Sequence, residues 1–209
     1  MNAATPLEPA QGWARPTAVR LPPPPVRERG VLFRTIAAIA RLCGRAELPH
    51  VFPVIHLNPR LFWAWLWFAS RLMPWGRLPA ATREKAILRV AWNCRSRYEW
   101  AQHVDIALRA GVSDAQIVAV TRPASDIADT GDRLLMQACD QLCHGKLIDA
   151  PTWQALSKQY CRRDLIELVM LVGHYEMVAG VLINAGIEAE ANVERTLEAL
   201  HRRLAATGA

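Results

Sequence analysis

The chain has 209 residues, 52% of them hydrophobic and 21% charged, which is enough for one sizeable core and rules out both disorder throughout and two large domains. Its net charge of +6 comes from scattered arginines rather than one basic block, so it favours solubility and anionic ligands without calling for nucleic acid. Five cysteines form no CxxC pair and no zinc-type spacing, and the N-terminal stretch lacks an apolar signal region, so the expected compartment is a reducing cytoplasm.

Residues 1–29 hold seven of the fourteen prolines, four of them in a row from Pro22 to Pro25, and read as an extended arm that wraps a neighbour or stays loose. Residues 30–209 read as a single helical domain. Apolar residues recur at helical spacing from Val31 to Cys43, with Gly44 as the stop. Asn58-Pro59 opens a second helix, running to about Leu72 and closed by Pro74 and Gly76. Trp63, Trp67 and Phe68 share one of its sides and read as core or subunit interface.

Beyond Pro79, Thr82 is the expected cap of a helix reaching Asn93, with Glu84 in its first turn, where a carboxylate suits the helix dipole. Ser96-Arg97-Tyr98-Glu99 has the form of a capping box, so the next helix starts at Ser96 and ends at Gly111. A short break between two helices implies an antiparallel hairpin. Further amphipathic segments follow from Ser113 to Thr121, Asp132 to His144, and Asp149 through WQALSKQY; then a long apolar helix capped by Asp164 ends at Gly186, and Ala191 to Leu204 closes the chain. Few runs alternate as strands do, so the fold is all-α. Neither LFWAWLWFAS nor the stretch from Leu165 to Ala185 reads as a membrane span: the first is too short, and Glu167, His174 and Glu176 interrupt the second.

The hairpin gathers the reactive residue types. Glu84 lies ten residues before Cys94 and His103 nine after it, so folding at that turn sets the two at the same depth. Glu99 and His103, four apart, share a helix face. The result is a carboxylate–imidazole–carboxylate cluster suited to moving protons, with Tyr98 as a hydroxyl donor. Taken singly, each residue also has a structural reading: Glu99 completes a capping box, Glu84 answers a dipole, His103 is a bonded core histidine and Cys94 a small buried side chain. Cys139, Cys143 and His144 share a face but lack a completing ligand, so no metal site is expected there. The spacing from Ala107 through Gly111 to Ile117 matches a helix-turn-helix, yet the helix DAQIVAVT carries no cation of its own, which argues against DNA binding.

The arrangement of Glu84, eighteen intervening residues and His103, with YEWxxH and then AxxxG, resembles the carboxymuconolactone decarboxylase family, which includes the alkylhydroperoxidase D-like proteins. The resemblance extends through HLNPRLFWAWLWF and LMPWGRLPAATREKAILRVAW upstream and LIELVMLVGHYEMVAGVLINAGI downstream, covering about residues 31–190. It implies an alkylhydroperoxidase D-like helical fold around the hairpin, a homo-oligomer such as a trimer or hexamer, and no metal or organic cofactor. Peroxidase-linked members carry CxxCxxxH; here Ser96 and Glu99 stand at the two cysteine positions, and Cys94 alone supplies one thiol where a dithiol cycle needs two.

The decarboxylase-type branch implies lyase chemistry on a small carboxylated lactone or related organic acid. Its residues would be Glu84, His103, Glu99 and Tyr98, with Cys94 and Arg97 as secondary candidates. The alternatives are an antioxidant peroxidase and a non-catalytic oligomeric binding protein of the same fold. An open pocket beside His103 would set an enzyme apart from the scaffold.

Overall fold

The computed structural model describes residues 7–31, 35, 38 and 48–207, and among them the chain forms nine α-helices and no strand. In chain order these are α1 (Val51–Ile55), α2 (Pro59–Leu72), α3 (Ala80–Asn93), α4 (Arg97–Arg109), α5 (Asp114–Val120), α6 (Thr130–Gly145), α7 (Ala150–Gln159), α8 (Arg162–Ala185) and α9 (Ala191–Thr207). The helix expected from Val31 to Cys43 lies, isolated positions apart, outside the described residues.

Local chemistry sets most helix ends. The Asn58 side chain accepts from the Leu61 amide and Pro59 fills the first position of α2. Asp129 and Asp149 cap α6 and α7, and Ser113 with Gln116 forms a complete capping box on α5. The start of α3 departs from expectation. Pro79 occupies the cap position with no side-chain bond, Thr82 lies inside the helix, and Glu84 falls beyond the first turn. Glu84 is therefore not a dipole partner at a helix end; it sits in the middle of the fold, fully buried.

Every residue of α3 from Arg83 to Ala91 is buried, because the helix packs against α4, α5, α6 and α8. Four of those residues carry charge, and each finds a partner. Arg83 reaches Glu84, Lys85 reaches Asp132, and Arg89 forms a two-pronged pair with Asp140 at 2.6 Å for both bonds while also donating to the carbonyls of Val120 and Arg122. Asn93 adds a 2.8 Å bond to the same Asp140. Burying a charge is tolerable only with such pairing.

The α3–α4 turn is Cys94-Arg95-Ser96, with Arg95 at φ 56°. The arm lies along its own chain there. The Ala14 amide donates to the Arg95 carbonyl at 2.9 Å, and Trp13 packs on Trp92 and Trp100, with ring centroids 5.8 and 6.0 Å away. Farther on, the amides of Arg20 and Leu21 donate to the Ala185 carbonyl and so satisfy the end of α8. Gly186 is required at that junction: its φ is +71°, and a Cβ there would meet Pro16 at 3.0 Å and Val19 at 3.1 Å.

By length and composition α8 could cross a membrane, but it runs through the fold with Leu168, Leu171, Val172, Tyr175 and Leu182 buried in the core. On α5, Ile117, Val118 and Val120 are buried, and Arg203 of α9 holds Asp114 through bonds of 2.6 and 2.8 Å.

Removing the cation that ties α3 to α5 and α6 should expose how far the core depends on these pairs. Arg89→Ala leaves Asp140 without its cation and two carbonyls without their donor, and urea unfolding should show a loss of about 3–5 kcal/mol.

Candidate functional site

The hairpin brings Glu84 and His103 into contact. His103 Nδ1 lies 2.7 Å from Glu84 Oε2, while the other carboxylate oxygen receives Arg83 Nε at 3.2 Å. With a carboxylate facing Nδ1, that nitrogen carries a hydrogen, which leaves Nε2 as the ring atom that can take or give a proton. Tyr175 of α8 meets the His103 ring edge-on at 4.9 Å and helps fix its plane.

Glu99 behaves differently from its sequence signature. The Ser96–Glu99 capping box does not form: Ser96 makes no side-chain cap bond, and both Glu99 oxygens are buried with no hydrogen-bond partner. The carboxyl group turns toward the same space as His103. Burial alone pushes its pKa well above the ordinary range, so it holds its proton where a surface glutamate would not.

That space is a cavity of about 600 Å³ between α1, α2, α4 and α8. Glu99, Gln102, His103 and His174 line it on the polar side, and Phe52, Trp63, Trp65, Trp67, Trp75 and Tyr175 are among its aromatic walls. The indoles of α2 thus border an opening as well as packing on neighbours. His174 stacks near Trp65 at 6.3 Å and meets Phe68 at 5.3 Å, and its Nδ1 is buried without a partner. Burial, and then the neighbouring His103, lower its pKa to about 4, so it is neutral at ordinary pH.

The other sequence candidates point elsewhere. The Tyr98 ring borders the cavity, but its hydroxyl donates to Glu190 at 3.0 Å and accepts from the Val51 amide at 3.2 Å. Arg97 makes a two-pronged pair with Glu194 at the protein surface. Cys94 sits at the turn, partly buried against the core, and its thiol is pushed up to about 12 by burial and then by Cys143. Among the described residues no group of three or more His, Cys, Asp or Glu side chains is arranged to hold a metal; His144, beside Cys143, turns its Nδ1 to the Asp140 carbonyl at 2.8 Å.

Two contributors were not singled out from sequence. His174 gave no signal beyond being polar in an apolar helix. Glu190 lies outside every helix, where it collects the His50 amide, the Tyr98 hydroxyl and the Gln102 amide and so ties the wall carrying Val51 and Phe52 to α4.

The helical fold around the buried carboxylate–imidazole pair is of the alkylhydroperoxidase D-like type. Residues 59–141 match the model of the carboxymuconolactone decarboxylase family. Three solved structures are similar in fold. An uncharacterized peroxidase-related protein from Silicibacter sp. TM1040 aligns with TM-score 0.73 at 15% identity, over 85% of this chain and 94% of that one. An uncharacterized peroxidase-related protein from Ralstonia eutropha JMP134, described as an alkylhydroperoxidase AhpD core, aligns with TM-score 0.70 at 14% identity, over 84% and 96%. A substituted form of the debrominase Bmp8, in complex with 2,3,4-tribromopyrrole, aligns with TM-score 0.69 at 15% identity, over 88% and 98%. At such identities the likeness establishes the fold alone. No curated protein sequence matches the chain.

Glu99 gives the site a pH signature in stability. Its folded pKa is raised, so above about pH 4.3 the unfolded chain holds fewer protons than the folded one, and stability falls as pH rises until the folded carboxyl itself ionises. Glu99→Gln removes that loss. In urea titrations the variant should gain on the native protein by about 1.4 kcal/mol per pH unit across this window.

Proposed function

We propose that Glu84, His103 and Glu99 form a proton-transfer site acting on a small organic molecule in the aromatic cavity. The observation that carries this reading is the meeting, on one cavity, of a histidine oriented by a buried carboxylate and a second carboxyl that has no structural partner. In this arrangement His103 Nε2 takes or delivers a proton, and Glu84 steadies the imidazolium that forms. Glu99, still protonated, supplies an acid on the same helix face. An acid and a base facing one cavity can together deliver a proton to a substrate carbon.

The lyase chemistry implied by the family fits this pair. When carbon dioxide leaves a carboxylated lactone or related acid, the bonding electrons remain on the substrate as a delocalised carbanion, which then takes a proton from His103 or Glu99. A peroxidase cycle has less support. Cys94 and Cys143 have thiols pushed up to about 12 and about 11, chiefly by burial, which leaves little thiolate for attack on a peroxide. The open cavity also favours an enzyme over a scaffold.

The test is isotopic. Incubated in deuterium oxide with a panel of carboxylated lactones and related carbon acids, the protein should place solvent deuterium on carbon in at least one of them, as seen by NMR. His103→Ala should slow that by about 100-fold or more, and Glu84→Gln should also slow it. Unchanged exchange in both variants would remove the assignment.

The reading includes a homo-oligomer. Ile166, Met170, Met177 and Val181 form an exposed apolar stripe along α8, and Gly173 and Gly180 lie between them with open space above. A second copy is the occupant proposed for this face. Sedimentation should show an assembly for the native chain and a monomer of unchanged helicity for the Met170→Glu, Met177→Glu double variant; a native monomer at tens of micromolar would contradict it.

A further inference from the structure

The polar side of the cavity carries information about charge as well as about proton transfer. Among the described residues that line it there is no Arg or Lys. The nearby Arg71 stacks its guanidinium 4.1 Å from the Trp67 ring instead, and Arg97 and Arg83 are paired with Glu194 and Glu84. The polar groups on the residues that line the space include two imidazoles, one carboxyl, one primary amide, the Ser70 hydroxyl, two phenols and the indole N–H groups, none of them a fixed cation. His174 is neutral, held low by burial, and Glu99 keeps its proton for the same reason.

An anionic ligand placed here would lose its water and gain no cation, and it would stand beside a carboxyl group that would then be still harder to ionise. Burying an unpaired charge is among the costliest steps available to a protein site. A neutral ligand avoids that cost. The walls favour flat apolar faces, since Phe52, Trp63, Trp65, Trp75 and Tyr175 offer rings on several sides. Glu99, His174 Nδ1 and the Trp65 indole N–H are buried there without partners, and with Nδ1 donating to Glu84, His103 adds an acceptor at Nε2 for a ligand's O–H.

We infer that this cavity takes an uncharged planar aromatic molecule carrying an O–H donor, a phenol rather than a carboxylate, with its ring against the indoles and its hydroxyl on His103 Nε2. The inference rests on the placement of His103 used in the proton-transfer reading and goes beyond it by naming the ligand class. It also bears on any acid that reacts here: the acid enters with its carboxyl protonated or its charge outside the aromatic walls.

Calorimetry on the full chain at about pH 7 tests this with three probes of one ring system: 2-naphthol, 2-methoxynaphthalene and 2-naphthoate. The expected result is 2-naphthol bound about tenfold or more tighter than each of the others, because the ether leaves the imidazole acceptor unpaired and the carboxylate is buried without a counter-charge. In His103→Ala the advantage of 2-naphthol over 2-methoxynaphthalene should vanish while binding of the ether persists. Tighter or equal binding of 2-naphthoate overturns the inference, as does equal binding of naphthol and ether, or binding of none of the three. The native-protein ranking decides even where the variant does not fold. Deuterium exchange without this ranking would remove the ligand class and leave the proton-transfer reading; the ranking without exchange would do the reverse.

Discussion

The contact between Glu84 and His103 is the constraint on which the rest of the arrangement depends. A carboxylate in the centre of a helix that is covered on all sides cannot be left alone, and only a second helix returning at the right depth can answer it. The Cys94-Arg95-Ser96 turn provides that return, and Arg95 takes a left-handed backbone conformation to make it. The arm then closes over the turn, with Trp13 against Trp92 and Trp100. Arg83 supplies the remaining charge, so the imidazole is oriented by a carboxylate that is itself fixed.

Glu99 is the exception to a pattern otherwise obeyed on α3. There Lys85 and Arg89 are buried with partners, as economical folding demands. Glu99 is equally buried with none, although a capping interaction with the Ser96 amide lay within reach of its sequence position. Its carboxyl makes no hydrogen bond that would stabilise the fold. Polar groups left unsatisfied in an otherwise satisfied interior collect where chemistry is done. The low-titrating His174 on the far wall fits the same description.

Much of this was legible in the sequence, for definite reasons. Asn58-Pro59, Ser113-Gln116 and Asp149-Pro151 mark helix starts because their side chains act locally, and near-equal spacing about Cys94 places Glu84 opposite His103 without any knowledge of packing. The all-α fold followed from periodicity, and the match to the family model covers the hairpin and its flanks. What failed to show were choices made by tertiary contacts. Ser96-Arg97-Tyr98-Glu99 has the letters of a capping box, but burial redirected Glu99. Tyr98 offers a hydroxyl in sequence, but Glu190, 92 residues away, engages it. The α2 tryptophans read as packing surface, and only the position of α8 across from them reveals that they wall a cavity.

The central claim is that an acid retains its proton beside an oriented histidine at neutral pH. Infrared spectroscopy of the carboxyl stretch tests it most directly, comparing the native protein with Glu99→Gln at pH 7. The account predicts a band from a protonated carboxyl in the native protein that is absent from the variant. Identical spectra, with no protonated carboxyl in either, would contradict it.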